Sequence, residues 1–437
     1  MKQWISRISL IFVDLATIVI AIYIAYSIRG WCNCFANPQL PSTDYYLNFW
    51  LIYGVVIVLF FVEGIYTKRY DFWQELQRTT KGLFLSAIIV LAVLTITKQS
   101  EDYSRFILII SFILLAMIIP IQKYYTKKIL FRLGLWRHKA AMVGEDPFFE
   151  QHVFFNPYLG YVLAQNNEAQ TLFISSKKSA ARLEEILHEA LLKEQEVIFI
   201  PLVKNFDFSD AHIIHLFNAR SNLIIVENNL INKTNRTLKW LLDYTLSLLL
   251  LPIALLSIGF IALLIKREEP SGSIFFTQRR MGENGKAFEC YKFRSMYEKS
   301  DAILTQYLAE HPEEVTYYGT YHKYQNDPRI TKVGTFLRQT SLDELPQIFN
   351  VLRGEMSLIG PRPYLFSERK KMGDNADLVL AVKPGITGLW QVSGRSDVDF
   401  MGRVDLDLWY VRNWSVWNDI VILLKTVQVV LLRKGAS

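Results

Sequence analysis

Three cysteines among 437 residues are too few to staple a fold or to build a structural metal site. Cys32 and Cys34 are two residues apart, where a disulfide would be strained, and Cys290 stands alone. A glycine-rich dinucleotide turn is also missing. Its one candidate, Gly144-Glu145-Asp146-Pro147, has a single glycine and sets two acids where a pyrophosphate would lie. No Tyr-x-x-x-Lys pair accompanies it, since Tyr297 and Lys323 have the wrong spacing. These absences count against a membrane-tethered nucleotide-sugar dehydratase or epimerase. No small-residue cleavage site follows the first apolar run, so that run is not read as a removable leader.

What the chain has in quantity is apolar surface: 51% of it is hydrophobic and 14% aromatic. Apolar runs at 8–28, 46–65, 83–97 and 106–121 approach the ~20 residues needed to cross a bilayer, the last two falling short. Lys2 and Arg7 precede the first run, Lys68, Arg69, Arg78 and Lys81 fill the second loop, and Lys123, Lys127, Lys128, Arg132, Arg137 and Lys139 follow the fourth. By the positive-inside rule the N-terminus and everything after residue ~122 lie in the cytoplasm. The net charge of +7 therefore flanks membrane, and nucleic acid is not an expected partner.

The expected organisation is a four-helix transmembrane region (1–122), a Rossmann-like α/β domain (123–235), a re-entrant membrane helix (236–265) and an α-rich cytoplasmic catalytic domain (266–437). Runs 140–143, 171–174, 197–202 and 223–226 read as buried parallel strands, with an amphipathic helix at 181–193. Without a nucleotide turn, this shell is expected to serve regulation or assembly and to offer a homodimer surface. The fifth apolar run, 246–265, is long enough to span. Cations flank both of its ends, however, so both favour the cytoplasmic side. Pro252 removes a ladder hydrogen bond inside the run, and Ser247 is expected to satisfy the freed carbonyl. Together these features describe a bent helix that enters and leaves by one face.

Chemistry concentrates in the polar C-terminal part. In Ser341-Leu342-Asp343-Glu344-Leu345-Pro346-Gln347 two adjacent carboxylates open an apolar helix that ends at Gly354. Ser341 and Glu344 have the spacing of a capping box, which leaves Asp343 unexplained. Free backbone N–H groups and the helix dipole are expected to keep Asp343 ionised, ready to attack phosphorus or to bind a metal. Lys292 and Arg294 share a face of an extended segment. Arg329, Arg338, Arg362 and Arg395 sit in or beside rigid turns. Arginines on rigid turns around an acidic pair suit a diphosphate, with guanidinium forks for the phosphates and a carboxylate for Mg²⁺ or for attack. Trp409, Tyr410, Trp414 and Trp417, ahead of the apolar stretch 420–432, read as an interfacial anchor.

Lys292–Met296, Asn326–Gly334, Thr340–Leu352, Ser357–Pro363, Lys383–Arg395 and Trp409–Trp417 together resemble the catalytic domain of the bacterial sugar transferases, the monotopic phosphoglycosyl transferase family. The resemblance implies transfer of a hexose-1-phosphate, galactose-1-phosphate favoured, from a UDP-sugar to undecaprenyl phosphate with release of UMP. That would be the first step toward a lipid-linked surface polysaccharide (O-antigen, capsule or exopolysaccharide). It further implies Asp343 as a nucleophile forming a covalent phospho-sugar intermediate, Glu344 as its partner, and Mg²⁺ held at both. Lys292, Arg294, Arg329, Arg338, Arg362 and Arg395 become candidates for phosphate or nucleotide contacts. The implied location is the bacterial inner membrane, with the catalytic domain in the cytoplasm. One departure stands out: Leu251, where many members have a serine, precedes Pro252. A non-enzymatic assembly scaffold would have no use for the acidic pair and the arginine turns.

Overall fold

A long apolar run surrounded by lipid must satisfy its own backbone amides, which a helix does without help from neighbours. The computed structural model describes residues 2–31, 42–98, 103–144, 147–154, 156–165, 168–175, 186, 190, 196–200, 212–216, 221–225, 230, 233–298, 300–311, 314, 327–393 and 398–432. Among these, five helical stretches are long and apolar enough to cross a membrane. The chain divides into two compact units, Met1–Leu202 and Val203–Ser437.

The first unit begins with α1 (Lys2–Trp31), the short α2 (Thr43–Leu47) running into α3 (Trp50–Val62), α4 (Phe72–Ile96) and α5 (Arg105–Arg132). α1 packs along α5, and α4 packs against both α3 and α5. The third and fourth spans exceed their apolar runs because polar turns join the helices. Asp71 caps α4 by accepting from the Gln74 N–H at 2.7 Å. α5 continues past residue 122, so the expected domain boundary there falls inside an unbroken helix. Lys123 and Lys127 do not merely flank the membrane. Lys123 pairs with Asp14 at 2.7 Å and Lys127 with Glu75, all four side chains being almost fully buried. Tyr66 donates to Asp14 at 2.7 Å and Tyr158 to Glu75 at 2.6 Å.

After α5, strands β1 (His138–Val143), β2 (Tyr161–Leu163), β3 (Thr171–Ser175) and β4 (Glu196–Ile200) form a parallel sheet in the order 2-1-3-4, with α6 (Pro147–Phe154) between β1 and β2. Apolar clusters cover both faces, Leu172 and Ile174 on one and Phe154, Tyr161 and Phe173 on the other. The run at 223–226 is not a fourth parallel strand. Its residues 223–225 belong to β6 (Ser221–Ile225), paired antiparallel with β5 (His212–Leu216) in the second unit. β5 ends only four residues before β6 begins, which suits a hairpin and leaves no room for a crossover. Most of the helix expected at 181–193, with Glu145, Asp146, Cys32 and Cys34, lies outside the described residues.

The second unit is organised by α7 (Lys233–Glu268), which contains Pro252. Its Lys239, Asp243, Ser247, Ala254, Ile258, Ile261 and Ile265 are buried, forming a stripe spaced three, four or, between Ser247 and Ala254, seven residues apart along the helix. The opposite stripe of Leu249, Ile253, Leu256, Phe260 and Leu263 is 63–77% exposed. Ser247 does not rescue the carbonyl freed by Pro252. Its buried hydroxyl has no hydrogen-bond partner, and a helical serine reaches back three or four residues, away from the Leu248 carbonyl. Polar contacts fasten both ends. Near the start, Lys239 pairs with Asp419 at 2.8 Å, and Asp243 accepts from the Ser357 hydroxyl at 2.5 Å and the Leu358 N–H at 3.3 Å. At the far end Glu268 accepts from the Lys332 and Val333 N–H groups at 2.8 and 2.9 Å.

Besides short helical turns, this unit contains an antiparallel hairpin of β7 (Phe275–Met281) and β8 (Ala287–Phe293), α8 (Ser300–Glu310), α9 (Lys332–Thr340), α10 (Ile348–Leu352), a parallel pair of β9 (Ser357–Ile359) and β10 (Gly385–Thr387), α11 (Phe400–Arg412) and α12 (Val416–Leu432). β9 and β10 approach so closely that a Cβ on Gly385 would lie 2.1 Å from the Gly360 nitrogen, which reserves the position for glycine. The expected aromatic anchor is corrected in part. Tyr410 and Trp414 are 1% and 2% exposed, core residues that donate to Asp419 at 2.8 and 3.0 Å. The apolar surface of α12 lies instead on Ile420, Leu424 and Val427.

Lys239→Met should strand Asp419 and Asp243 as buried, unneutralised neighbours, lowering stability by about 3 kcal/mol. The midpoint of thermal unfolding in detergent measures this. An unchanged midpoint would contradict the role given to the pair.

Candidate active site

Pro346 decides the local shape of the acidic pair. It has no N–H to return to Leu342, so residues Leu342–Gln347 wind as a 3₁₀ turn, and the α-helical pattern resumes only at α10. Ser341 is not the cap of a capping box. It ends α9 in the left-handed region (φ 57°), joins α9 to the turn, and makes no side-chain cap hydrogen bond. Leu342 and Leu345 pack into the cluster that holds Ile258, Ile261, Leu337 and Ile348. Asp343 and Glu344 are left 17% and 24% exposed, recessed but open to a ligand.

β8 brings the counter-charge. Its Lys292 ammonium stands 2.6 Å from Glu344 Oε1 and 3.6 Å from Asp343 Oδ2. Burial opposes that ammonium, but the Glu344 and Asp343 carboxylates outweigh it and hold the lysine pKa above its usual value. For Asp343 the balance is reversed. Burial raises its pKa, Lys292 pulls it back, and Glu344 pushes it up again, leaving it above the ordinary 3.8. Asp343 is thus a weaker acid than helix-dipole arguments alone would make it, because desolvation beside a second carboxylate opposes its charge. Cys290, also close enough to feel Lys292 and the dyad, is buried and its thiol is pushed up to about 11, so it is inert.

The arginines separate into two groups. Arg338, in the last turn of α9, donates to Ser295 Oγ at 2.9 Å and is near enough to stabilise the Asp343 carboxylate. Arg362 stands over the Trp390 ring at 5.4 Å, and its guanidinium is 3.9 Å from Glu368. Arg329 is engaged by its own turn through a bidentate pair with Asp327 at 2.8 and 2.7 Å. Arg294 does not share the face of Lys292. β8 ends at Phe293, and the buried Arg294 turns to Glu269 at 3.0 Å, tying the end of α7 to the hairpin. Arg395 lies outside the described residues.

Sequence reasoning missed two contributors. Arg280 on β7 donates to the Pro363 carbonyl at 3.0 Å; burial lowers its pKa and the charge of Arg362 lowers it further, while Glu344 is also within electrostatic reach. Asp407 on α11 is wholly buried and accepts from the Arg362 N–H at 2.9 Å and the Tyr364 hydroxyl at 2.8 Å. It fixes the turn that carries Arg362, and burial pushes its carboxyl up to about 7. The one available signal was an acid at position 407 among apolar neighbours on an amphipathic helix.

Among the described residues no three His, Cys, Asp or Glu side chains are grouped to hold a metal. Two carboxylates still fit Mg²⁺, which keeps several waters and takes further oxygens from a substrate diphosphate.

The bacterial sugar transferase family description matches residues 234–433. An undecaprenyl-phosphate galactose phosphotransferase of Salmonella typhimurium is 34% identical, over 85% of this chain and 84% of its own. An uncharacterized sugar transferase of Haemophilus influenzae is 32% identical, over 100% of this chain and 99% of its own. A UDP-glucose:undecaprenyl-phosphate glucose-1-phosphate transferase of Escherichia coli is 36% identical, over 59% of this chain and 53% of its own. The chain belongs to the bacterial sugar transferase family.

An acid whose pKa rises on folding costs no stability below its unfolded value, and the cost appears as pH rises above it. Asp343→Asn removes that cost, so its thermal midpoint at pH 7 should exceed wild type, with the gain shrinking as pH falls toward about 4. A lower midpoint at pH 7 would refute the desolvation argument.

Proposed function

We propose that this chain is a phosphoglycosyl transferase that moves hexose-1-phosphate from a UDP-sugar to undecaprenyl phosphate, opening the synthesis of a lipid-linked surface polysaccharide. The carrying observation is the recessed Asp343–Glu344 dyad, bridged by Lys292 with Arg338 beside it. Galactose-1-phosphate is the favoured cargo, in keeping with the activity named for the Salmonella relative.

On this reading an Asp343 oxygen attacks the phosphorus that bears the hexose. The bond from that phosphorus to the UMP oxygen breaks, UMP leaves with the electron pair, and an aspartyl phospho-sugar remains. A phosphate oxygen of undecaprenyl phosphate then attacks the same phosphorus and breaks its bond to Asp343, which regenerates the carboxylate and yields the diphosphate-linked lipid. Lys292 neutralises the dyad between substrates and is placed to meet phosphate charge as it develops. Arg338, Arg362 and Arg280 supply guanidinium donors to the diphosphate. Mg²⁺, held by Asp343 and Glu344 when bound, would offset charge on the leaving phosphate.

The same reading makes α7 re-entrant, in the cytoplasmic membrane of a bacterium, with the catalytic domain in the cytoplasm. A straight α7 would set Asp243 and Glu268 ~37 Å apart, on opposite sides of a hydrocarbon core ~30 Å thick. Residues of one polar unit nevertheless hold both positions, and a buried stripe joins them, which supports a helix that dips and returns. The parallel sheet after α5 is read as a Rossmann-like domain serving assembly, including homodimer formation.

Asp343→Asn should cut UMP release from UDP-galactose and undecaprenyl phosphate by roughly a thousandfold or more, as loss of a nucleophile does elsewhere. Excess EDTA should likewise stop wild-type turnover. Wild-type rates in either experiment would remove the corresponding assignment. For topology, Cys32, Cys34 and the buried Cys290 are first replaced by serine. Single cysteines at Lys233 and Lys286 should then both resist a membrane-impermeant thiol reagent in intact cells. Labelling at 286 but not at 233 would mean that α7 crosses.

A further inference from the structure

A cavity of about 260 Å³ opens beside the first half of α7, and none of its lining residues belongs to the dyad cluster. Val351, Met356 and Val382 make its floor apolar. At one wall Trp240 and Tyr244 stack with ring centroids 5.7 Å apart, the planes 20° from parallel. Both rings are well exposed and stand immediately before the apolar stretch of α7, the position at which aromatic residues meet the headgroup layer. Charge at this cavity is nearly settled. Arg236 pairs with Glu283. Lys239 is matched to Asp419 at 2.8 Å, while Asp243, 3.5 Å from Lys239, also accepts from Ser357 and Leu358. Lys383 is left over. It is half-buried, lines the cavity, and has no acid partner among the described residues.

An apolar floor, an interfacial aromatic wall and one unmatched cation describe a ligand that is both greasy and anionic. We propose that this cavity binds a single lipid bearing an uncompensated phosphate, held by Lys383 at a site separate from the reaction centre. The phosphate meets the Lys383 ammonium, the headgroup's carbon skeleton rests on Val351, Met356 and Val382, and the chain leaves along the exposed leucines of α7. A bilayer phospholipid and the polyprenyl phosphate acceptor share this chemistry. The inference rests on the interfacial position proposed for α7, and not on the transfer reaction.

The test is native mass spectrometry of the full chain in detergent, titrated separately with phosphatidylglycerol, undecaprenyl phosphate, phosphatidylcholine and inorganic phosphate. One saturable adduct is expected with an anionic lipid, weakened at least tenfold by Lys383→Gln and retained by Lys383→Arg. Thr237→Trp, on the exposed rim of the cavity, should block the adduct without disturbing the core. Equal binding of the two anionic lipids supports a bulk phospholipid site, and preference for undecaprenyl phosphate supports a second acceptor site. The proposal is overturned if Lys383→Gln and Thr237→Trp bind as wild type with unchanged thermal midpoints. Equally tight binding of phosphatidylcholine, or of inorganic phosphate alone, also overturns it. Because no donor is present, a chain that binds lipid here yet releases no UMP would leave this inference standing while removing the transferase reading.

Discussion

One helix has to satisfy two solvents. α7 presents Ala254, Ile258, Ile261 and Ile265 to protein and Leu249, Ile253, Leu256, Phe260 and Leu263 outward. Either stripe alone would suit an ordinary amphipathic helix, but both are apolar, so the helix is stable only with protein on one side and lipid on the other. The polar clamps at its ends follow from that requirement. Hydrophobic contact along a stripe does not define where a helix sits lengthwise. The Lys239–Asp419–Asp243 group and the Glu268 contacts to α9 do, because each loses its partner if the helix slides by one turn.

The same economy of charge recurs elsewhere. In the first unit Asp14–Lys123 and Glu75–Lys127 bury four charges as two pairs, each with a tyrosine hydroxyl attached. At the dyad, two carboxylates share Lys292, with Arg338 near Asp343, and burial still holds the Asp343 pKa above its ordinary value. A stable fold would avoid this arrangement. In the proposed transferase such an arrangement is usable, since perturbed carboxylates concentrate where chemistry is done.

How much of this was legible in the sequence depended on the range of the forces involved. Apolar runs and flanking cations are local signals set against a membrane of known thickness, and they marked all five long helices. The dyad was legible because Asp343 and Glu344 are adjacent and their neighbours recur at helical spacing. Helix ends were not, as polar turns such as 72–82 of α4 wind with the apolar ones once a cap is present. The pairing of Lys292 with Arg294 failed for want of a single residue: alternation holds only while the strand lasts, and β8 stops at Phe293. Arg280 and Asp407 act through Pro363 and Arg362, 83 and 45 residues away in sequence, which no local pattern encodes. Lys123 and Lys127 looked like membrane-flanking cations because their partners, Asp14 and Glu75, lie 109 and 52 residues distant.

The long apolar helix and the dyad are not merely neighbours in the second unit. Ile258, Ile261 and Ile265 of α7 share one cluster with Phe293, Leu337 and Ile348, and Leu342 and Leu345 of the dyad's own turn pack against it. Lys292 precedes Phe293 in β8, while Arg338 follows Leu337 in α9. Lys292, Glu344 and Arg338, the charged groups that act on Asp343 directly, are therefore each one residue from an apolar side chain in the cluster with α7. On the proposed reading the depth of α7 in the lipid would set the height of the dyad above it. Since the dyad packs on the half of α7 after Pro252, any bend at that proline acts on the dyad together with the helix. On the proposed reading, a soluble donor and a lipid-borne acceptor share one nucleophile only at a fixed height, and the packing of the dyad's turn on α7 would fix that height.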